Sequence, residues 1–318
     1  MQGREKLKKM TGVFVVIAAV LGVMAALYFA GRTVYIRQFD YRCTTDASQA
    51  FSVSDFENLT SARYTFRTKQ GHQLVGYLYE QEDPSAQAKG VIVFAHGLGN
   101  GGQRGYMDIF HHMTQRGYCV FAYDATGNDE SEGDVVGGLP QGLIDLDHAI
   151  DCVYTIGKVK DLPVLLMGYS WGALSAVNVL NEHPEAAAVV SLAGCNRTLD
   201  LIEHQGCKRV GKIAKLLLPF AWLHEYITYG DYACSTAFKG FENSSCKVLI
   251  VHGAKDGTVP IQYGYDAYYE KYASDERFVF LRYEDRNHDL LDARKGVRDL
   301  ELLDQIAEFF DQTLLEKE

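Results

Sequence analysis

Short apolar runs alternate with amphipathic helical patterns over most of the chain, and this alternation constrains the fold more than any other feature. Brief strands rich in Val, Ile and Leu, with helices between them, are typical of a mostly parallel, doubly wound α/β sheet covered on both faces. A β-hairpin is predicted before them, over residues 62–68 and 73–80. The predicted strands then lie at residues 91–95, 118–123, 164–167, 187–193, 248–251 and 278–283.

Near the N-terminus, residues 10–31 form a stretch without a single charged side chain. A helix of that length is about 33 Å long, enough to cross a hydrocarbon core of about 30 Å. Arg4, Lys6, Lys8 and Lys9 precede it, which predicts a cytoplasmic tip at residues 1–9 and an extracytoplasmic remainder. We therefore expect a membrane anchor at 10–31; a cleaved signal peptide and a buried core helix are the alternatives.

The rest of the chain divides into two parts. Residues 32–60 are mixed and polar and are interpreted as a stalk, and residues 61–318 as the folded domain. Within that domain, about fifty residues separate two predicted strands, at about 195–245, and they contain the apolar cluster 216–223. An excess of this size is usually an inserted functional element. We predict a cap over the carboxyl edge of the sheet, inserted after the sixth strand, where open α/β sheets bind ligands.

Charge and cysteine content exclude several function classes. The 318 residues include 31 Lys and Arg against 41 Asp and Glu, so no basic excess exists for general nucleic-acid binding. The seven cysteines, an odd number, cannot all pair within one chain, and both disulfides and free thiols remain open. No zinc-ligand spacing, dinucleotide fingerprint or Walker lysine is present, so we expect no metal and no cofactor.

The strongest local motif is Gly168-Tyr169-Ser170-Trp171-Gly172, between the strand VLLM and the helix ALSAVNVL. A serine on such a strand-to-helix turn stands exposed at the sheet edge with strained backbone angles, and flanking glycines relieve the crowding. Ser170 is therefore the predicted nucleophile, supported by Gly168 and Gly172.

A serine hydroxyl needs a base, and the base needs an orienting carboxylate. His288 follows the last predicted strand, and Asp256 follows the strand VLIV. The chain order Ser170, Asp256, His288 is the order of the nucleophile-elbow hydrolases. His252 lies at the strand end itself and is interpreted as structural.

A developing oxyanion needs two preorganised N–H donors. His96-Gly97-Leu98-Gly99 ends the strand VIVFA, so we assign the donors to the backbone of Leu98 and Trp171. His96, Gly97 and Gly99 are expected to support this turn.

These pieces together resemble an α/β-hydrolase, and more narrowly the branch of monoglyceride lipases and serine-aminopeptidase-like enzymes. The resemblance implies a Ser170, Asp256 and His288 triad, and a structural role for Asp124 in a turn near the site. Ala125, Ala173 and Trp171 depart from the residues usual in these families. The matching residues are 96–99, 123–127, 131–133, 168–172, 256 and 288.

Three functions are compatible with this pattern. The first is a serine hydrolase that cleaves acyl or lipid-like carboxylic esters through an acyl-enzyme. The second is a peptidase or amidase of aminopeptidase type, in which Glu203, Glu225 or Asp231 of the cap would meet a substrate amine. The third is a non-catalytic surface binding protein on a hydrolase scaffold.

Overall fold

The computed structural model describes residues 2–82, 87–99, 101–294 and 296–316. It begins with one long helix, α1 (Gln2–Phe39), which runs through the predicted anchor and the first eight residues of the predicted stalk. Residues 4–26 are exposed, whereas Gly31, Tyr35 and Phe39 are buried. Their spacing of four residues places them on one helix face, so the last turns of α1 pack against the rest of the protein.

An eight-stranded sheet forms the centre of the molecule, in the order β1-β2-β4-β3-β5-β6-β7-β8. The first two strands form an antiparallel hairpin, β2 pairs antiparallel with β4, and the remaining pairs are parallel. The mostly parallel sheet predicted from the alternating pattern is therefore confirmed. The strands are β1 (Leu59–Arg67), β2 (Gln73–Gln81), β3 (Val91–Ala95), β4 (Cys119–Asp124), β5 (Val164–Tyr169), β6 (Ala188–Leu192), β7 (Lys247–Gly253) and β8 (Phe278–Tyr283).

Helices cover both faces of this sheet. Strand β3 shows the arrangement, because Val91 and Val93 belong to one buried cluster while Ile92 and Phe94 belong to the other. This alternation follows from the two-residue period of a strand, and both faces are apolar because both are covered. The covering helices are α2 (Met107–Gln115), α3 (Gln141–Val153), α4 (Trp171–Asn178), α8 (Tyr265–Tyr272) and α9 (Leu300–Leu315). A small antiparallel pair, β9 (Asp292–Arg294) and β10 (Val297–Arg298), precedes α9.

Three further helices follow β6 and precede β7: α5 (Thr198–Val210), α6 (Ala214–Tyr229) and α7 (Ala237–Asn243). They lie within the segment interpreted as a cap. The Gln205 side chain donates to the carbonyl of Thr258 at 3.0 Å, in the loop that follows β7. The hydroxyl of Tyr229 donates to the carbonyl of Gly137, and Tyr232 donates to Asp147 of α3 at 2.6 Å. These contacts place the cap against the loop after β7, the loop at Gly137 and helix α3.

The cysteines give no sign of a disulfide framework in the described residues. Those at positions 43, 119, 152 and 195 are buried free thiols, Cys207 is partly buried, and Cys234 is exposed. The fold is therefore held by its apolar clusters and hydrogen bonds.

Candidate active site

Ser170 occupies the turn between β5 and α4 with φ 57° and ψ −114°, and non-glycine residues rarely adopt a positive φ of this size. The turn closes tightly, because a Cβ on Gly168 would collide with the carbonyl of Gly172, and one on Gly172 with the carbonyl of Ala95. Only glycine fits at both positions. The backbone thus stores strain at Ser170 and presents its hydroxyl at the carboxyl edge of the sheet.

The three residues of the predicted triad form one hydrogen-bonded chain. His288 Nε2 lies 2.9 Å from Ser170 Oγ, and His288 Nδ1 lies 2.7 Å from Asp256 Oδ2. A carboxylate only accepts hydrogen bonds, so the proton of the neutral ring is on Nδ1 and Nε2 is free to accept from the serine hydroxyl. The arrangement is that of a nucleophile, a general base and an orienting carboxylate.

Asp256 is kept ionised by its surroundings. Burial alone would raise the pKa of this carboxyl, but hydrogen bonds from His252 and His288 hold it well below its ordinary range. The backbone N–H groups of Thr258 and Val259 also donate to it, at 2.8 and 2.9 Å. Sequence reasoning assigned His252 a structural role but did not find these two amides, whose signal was the tight turn after β7.

Hydrogen bonds of the His96 ring fix the turn that carries Leu98. The backbone N–H of Ala125 donates to His96 Nε2 at 3.1 Å, so Nδ1 carries the proton and donates to the carbonyl of Gly97 at 2.8 Å. Burial lowers the pKa of His96, which keeps the ring neutral. This histidine therefore ties the end of β3 to the end of β4, and Gly97 lies against the ring of Tyr169, beside Ser170.

Asp124 supports the neighbouring turn. Its carboxyl is fully buried and accepts from the backbone N–H of Gln103 at 2.9 Å and of Glu130 at 3.2 Å. Burial raises the pKa of Asp124 to about 7. The carboxyl therefore organises two loops beside Leu98 and makes no hydrogen bond to the Ser170–His288–Asp256 chain.

Trp171, the second predicted oxyanion donor, is the first residue of α4, where a backbone N–H has no acceptor within the helix. Its indole is buried and donates to the carbonyl of Leu139 at 2.8 Å. The ring also lies against Gly142, where an added Cβ would come within 2.6 Å of Cε2. The segment around Leu139 was not found from the sequence, because nothing in its residues marks a partner for the indole.

The cap carboxylates are engaged in other ways. Glu225 is completely buried and accepts from the hydroxyls of Tyr35 at 2.6 Å and Thr198 at 2.7 Å. Burial raises its pKa to about 7. Glu203 pairs with Lys215 at 2.8 Å, and Asp231 lies on the surface.

One group of side chains among the described residues has metal-ligand geometry: Asp147, Asp151 and His183. Asp147 and His183 already contact each other at 2.9 Å, and Asp147 also accepts from Tyr232. Asp147 and His183 thus form an ion pair that joins α3 to the segment after α4. The group does not include any residue of the candidate active site.

Residues 86–233 match the family model of the serine aminopeptidase, S33. A 104-residue stretch is 33% identical to mouse monoglyceride lipase, covering 32% of this chain and 33% of that lipase. A 223-residue stretch is 25% identical to lysophosphatidylserine lipase ABHD12 of Macaca fascicularis, covering 64% of this chain and 50% of that protein. The matches thus span only a third to a half of the length of these relatives.

Solved structures extend the likeness over most of the chain. The esterase Pf2001 of Pyrococcus furiosus superposes with a TM-score of 0.64 at 16% identity, covering 86% of this chain and 98% of the esterase. Acylaminoacyl peptidase of Pyrococcus horikoshii superposes with a TM-score of 0.63 at 15% identity, covering 82% of this chain and 42% of that enzyme. Sheet order, elbow and superposed structures agree that the chain has the α/β-hydrolase fold, and its sequence is similar to monoglyceride lipase and to the family model of the serine aminopeptidase, S33.

Proposed function

We propose that the protein is a serine hydrolase that cleaves carboxylic esters with acyl or lipid-like groups. The observation that carries this proposal is the hydrogen-bonded chain from Ser170 through His288 to Asp256, with Ser170 on a strained elbow. The two lipases among the relatives and the superposed esterase support the same reaction.

The geometry supplies each step of an acyl transfer. Ser170 Oγ attacks the ester carbonyl while His288 Nε2 takes its proton, and the tetrahedral oxyanion accepts from the backbone N–H groups of Leu98 and Trp171. The imidazolium, stabilised by ionised Asp256, then gives its proton to the departing alcohol, which leaves an acyl-enzyme. Water then attacks the acyl carbon while His288 Nε2 takes one of its protons, and His288 gives that proton to Ser170 Oγ as the bond to the serine breaks and the carboxylic acid leaves.

The preference for lipid-like esters rests on the cap and the N-terminal helix. Helix α6 includes an apolar stretch from Leu216 to Leu223, interrupted only by Pro219. Helix α1 is long and apolar enough to cross a membrane by length and composition. We place residues 10–31 in the bilayer, with the N-terminus in the cytoplasm and the hydrolase domain on the other side. Protease digestion of sealed membranes tests this topology. Protease added on the extracytoplasmic side should cut the hydrolase domain in intact membranes, whereas protease on the cytoplasmic side should cut it only after permeabilisation.

A peptidase or amidase is the second candidate, and the S33 family model and the superposed acylaminoacyl peptidase favour it. The contacts of the cap carboxylates argue against a peptidase or amidase. Glu225 is buried between two hydroxyls and Glu203 is paired with a lysine, so neither is free to receive a substrate amine. Asp231, on the surface, remains the one of the three that an amine could reach.

The test is a substrate panel run on the full-length protein in detergent. p-Nitrophenyl esters from acetyl to palmitoyl are compared with aminoacyl anilides, each with wild type and Ser170→Ala. We expect ester turnover with a maximum at medium or long acyl chains, abolished in Ser170→Ala. A maximum at acetyl would remove the lipid preference, and faster anilide turnover would favour the peptidase. Full activity in Ser170→Ala would remove the mechanism, and no turnover of any substrate by wild type would leave the binding-protein alternative.

A further inference from the structure

Tyr35, near the end of the N-terminal helix α1, contacts both the cap and a loop of the hydrolase domain. Its hydroxyl donates to Glu225 Oε1 on α6 at 2.6 Å and accepts from the backbone N–H of Leu139 at 3.0 Å. The side chain is only 2% exposed, and Glu225 is 0% exposed. One hydroxyl therefore joins three parts of the protein that are distant in sequence, at a point closed to water.

The loop that Tyr35 holds is the loop that holds Trp171. Leu139 receives the Tyr35 contact on its N–H, and its carbonyl accepts from Trp171 Nε1 at 2.8 Å. Trp171 directly follows the serine, and its backbone N–H is one of the two proposed oxyanion donors. A shift of Leu139 would therefore move the indole and, with it, the first turn of α4.

The segment that follows α1 also contacts the loop that comes after Leu98, the other proposed donor. Thr45 Oγ1 accepts from the backbone N–H of Gly102 at 3.1 Å, and Asp129 accepts from the N–H of both Thr45 and Gly102, at 2.6 and 3.0 Å. Gly101 lies so close that an added Cβ would collide with the backbone of Thr45. These contacts hold Gly101 and Gly102, three and four residues after Leu98.

We infer that the end of the N-terminal helix and the segment after it are part of the active-site framework, with Tyr35 as a positioning residue for the oxyanion donor at Trp171. The inference rests on the proposed serine-hydrolase function. It gives α1 a role beyond attachment, because the same helix that enters the membrane also orients the groups that stabilise the transition state.

The expected effect lies in the chemical step. An oxyanion donor acts on the transition state more than on bound substrate, so a misplaced donor lowers kcat while KM changes little. Small misplacements of catalytic groups are costly, and removing a donor outright typically costs about 10²–10³ in rate. For loss of the Tyr35 hydroxyl, which acts through Leu139, we expect about a tenfold fall in kcat with KM within about twofold.

The experiment compares Tyr35→Phe with Tyr28→Phe in the full-length protein in detergent, with p-nitrophenyl butyrate as substrate. Tyr28 lies on the same helix, and its hydroxyl makes no hydrogen bond to any part of the chain that the structure describes, so it is the matched control. Active sites are counted by complete reaction with a fluorophosphonate, and kcat is expressed per labelled site. Loss of folded protein alone would lower the number of labelled sites and leave kcat per site unchanged.

Trp171→Phe provides a second, independent arm, because it keeps an aromatic ring and removes the N–H that donates to Leu139. We expect it to lower kcat per site as well, and the double variant Tyr35→Phe with Trp171→Phe to be no slower than the slower single variant. If Tyr35→Phe does not fold, the kcat of Trp171→Phe decides whether the inference holds.

The inference is overturned if kcat per site in Tyr35→Phe equals that of Tyr28→Phe, or if the two effects multiply in the double variant. An unchanged Trp171→Phe overturns it as well. Ser170→Ala, measured beside them, separates the two proposals. Turnover by Ser170→Ala equal to that of wild type rejects the serine-hydrolase function. An inactive Ser170→Ala together with a normal kcat in Tyr35→Phe rejects only the positioning role.

Discussion

The two sides of the candidate site are held in different ways. On the sheet side, Ser170 and Asp256 lie within three residues of the ends of β5 and β7, and local backbone geometry sets their positions. On the side of the cap and α1, Tyr35 and Glu225 are 190 residues apart and meet through buried hydrogen bonds. Changes on the sheet side should therefore stop the chemistry or the fold, whereas changes on the other side should produce graded losses.

Asp256→Asn should have the largest effect, about 10⁴-fold in kcat, because an amide no longer holds His288 in the tautomer that accepts the serine proton. Turnover of a short ester by the purified variant measures it. Asp289→Asn, an exposed change beside His288, is the control and should stay within about twofold of wild type. A comparable loss of kcat in both variants would mean that kcat depends on negative charge near His288 and not on the hydrogen bond to Asp256.

Gly168→Ala tests the backbone geometry of the elbow. The new Cβ would collide with the backbone carbonyl of Gly172, which cannot rotate away, so we expect about 3 kcal/mol or more of lost stability. Chemical denaturation followed by tryptophan fluorescence measures this loss. Gly157→Ala, where nothing lies within 4 Å of the added atom, should change stability by less than about 0.5 kcal/mol. Equal stability of the two variants would contradict the tight turn.

The ion pair between His183 and Asp147, which joins α3 to the segment after α4, should weaken at alkaline pH. Burial alone would lower the pKa of His183, but hydrogen bonds to Asp147 and Glu185 outweigh it and raise the pKa to about 9. Because this folded value lies above the unfolded value of about 6.5, the stabilisation is complete below pH 6.5 and is lost as pH rises through 9. The loss should be about 3 kcal/mol at most.

Unfolding free energies measured from pH 6 to 10 in wild type and His183→Gln test this pair. The variant should lack this part of the pH dependence, and the two curves should converge at high pH. Parallel curves of unfolding free energy against pH would show that protonation of His183 does not stabilise the fold through Asp147.

Thr198→Val should have the smallest effect, about 1–2 kcal/mol, because Glu225 loses one buried donor and keeps the Tyr35 hydroxyl. Thr228→Val is the matched control in the same cap, where the exposed hydroxyl bonds only to its own helix. A loss as large as that of Gly168→Ala would erase the contrast between the two sides of the site.

The sheet side of the site could be predicted from sequence because its determinants are local. Gly168 and Gly172 flank Ser170 within one turn, Asp256 follows the apolar run of the buried strand β7, and His288 follows the edge strand β8. Their meeting follows from parallel strands, whose carboxyl ends share one edge of the sheet.

The other side could not be predicted for the opposite reason. Tyr35, Leu139 and Glu225 come from separate segments, and no local pattern connects a tyrosine after the predicted anchor with a glutamate in the cap. One signal was present: Gly31, Tyr35 and Phe39 are spaced by four residues, which predicts a helix face that continues past Arg32. The charge of Arg32 ended the predicted anchor there, although a charged side chain on the exposed face does not end a helix.

The most direct test of the central claim is to locate the nucleophile. Full-length protein is reacted with a fluorophosphonate, digested, and the modified peptide is mapped by mass spectrometry. The account predicts a single adduct on Ser170 that forms quickly in wild type and is absent when His288 is replaced by alanine. An adduct on another residue, with Ser170 unmodified, would contradict it.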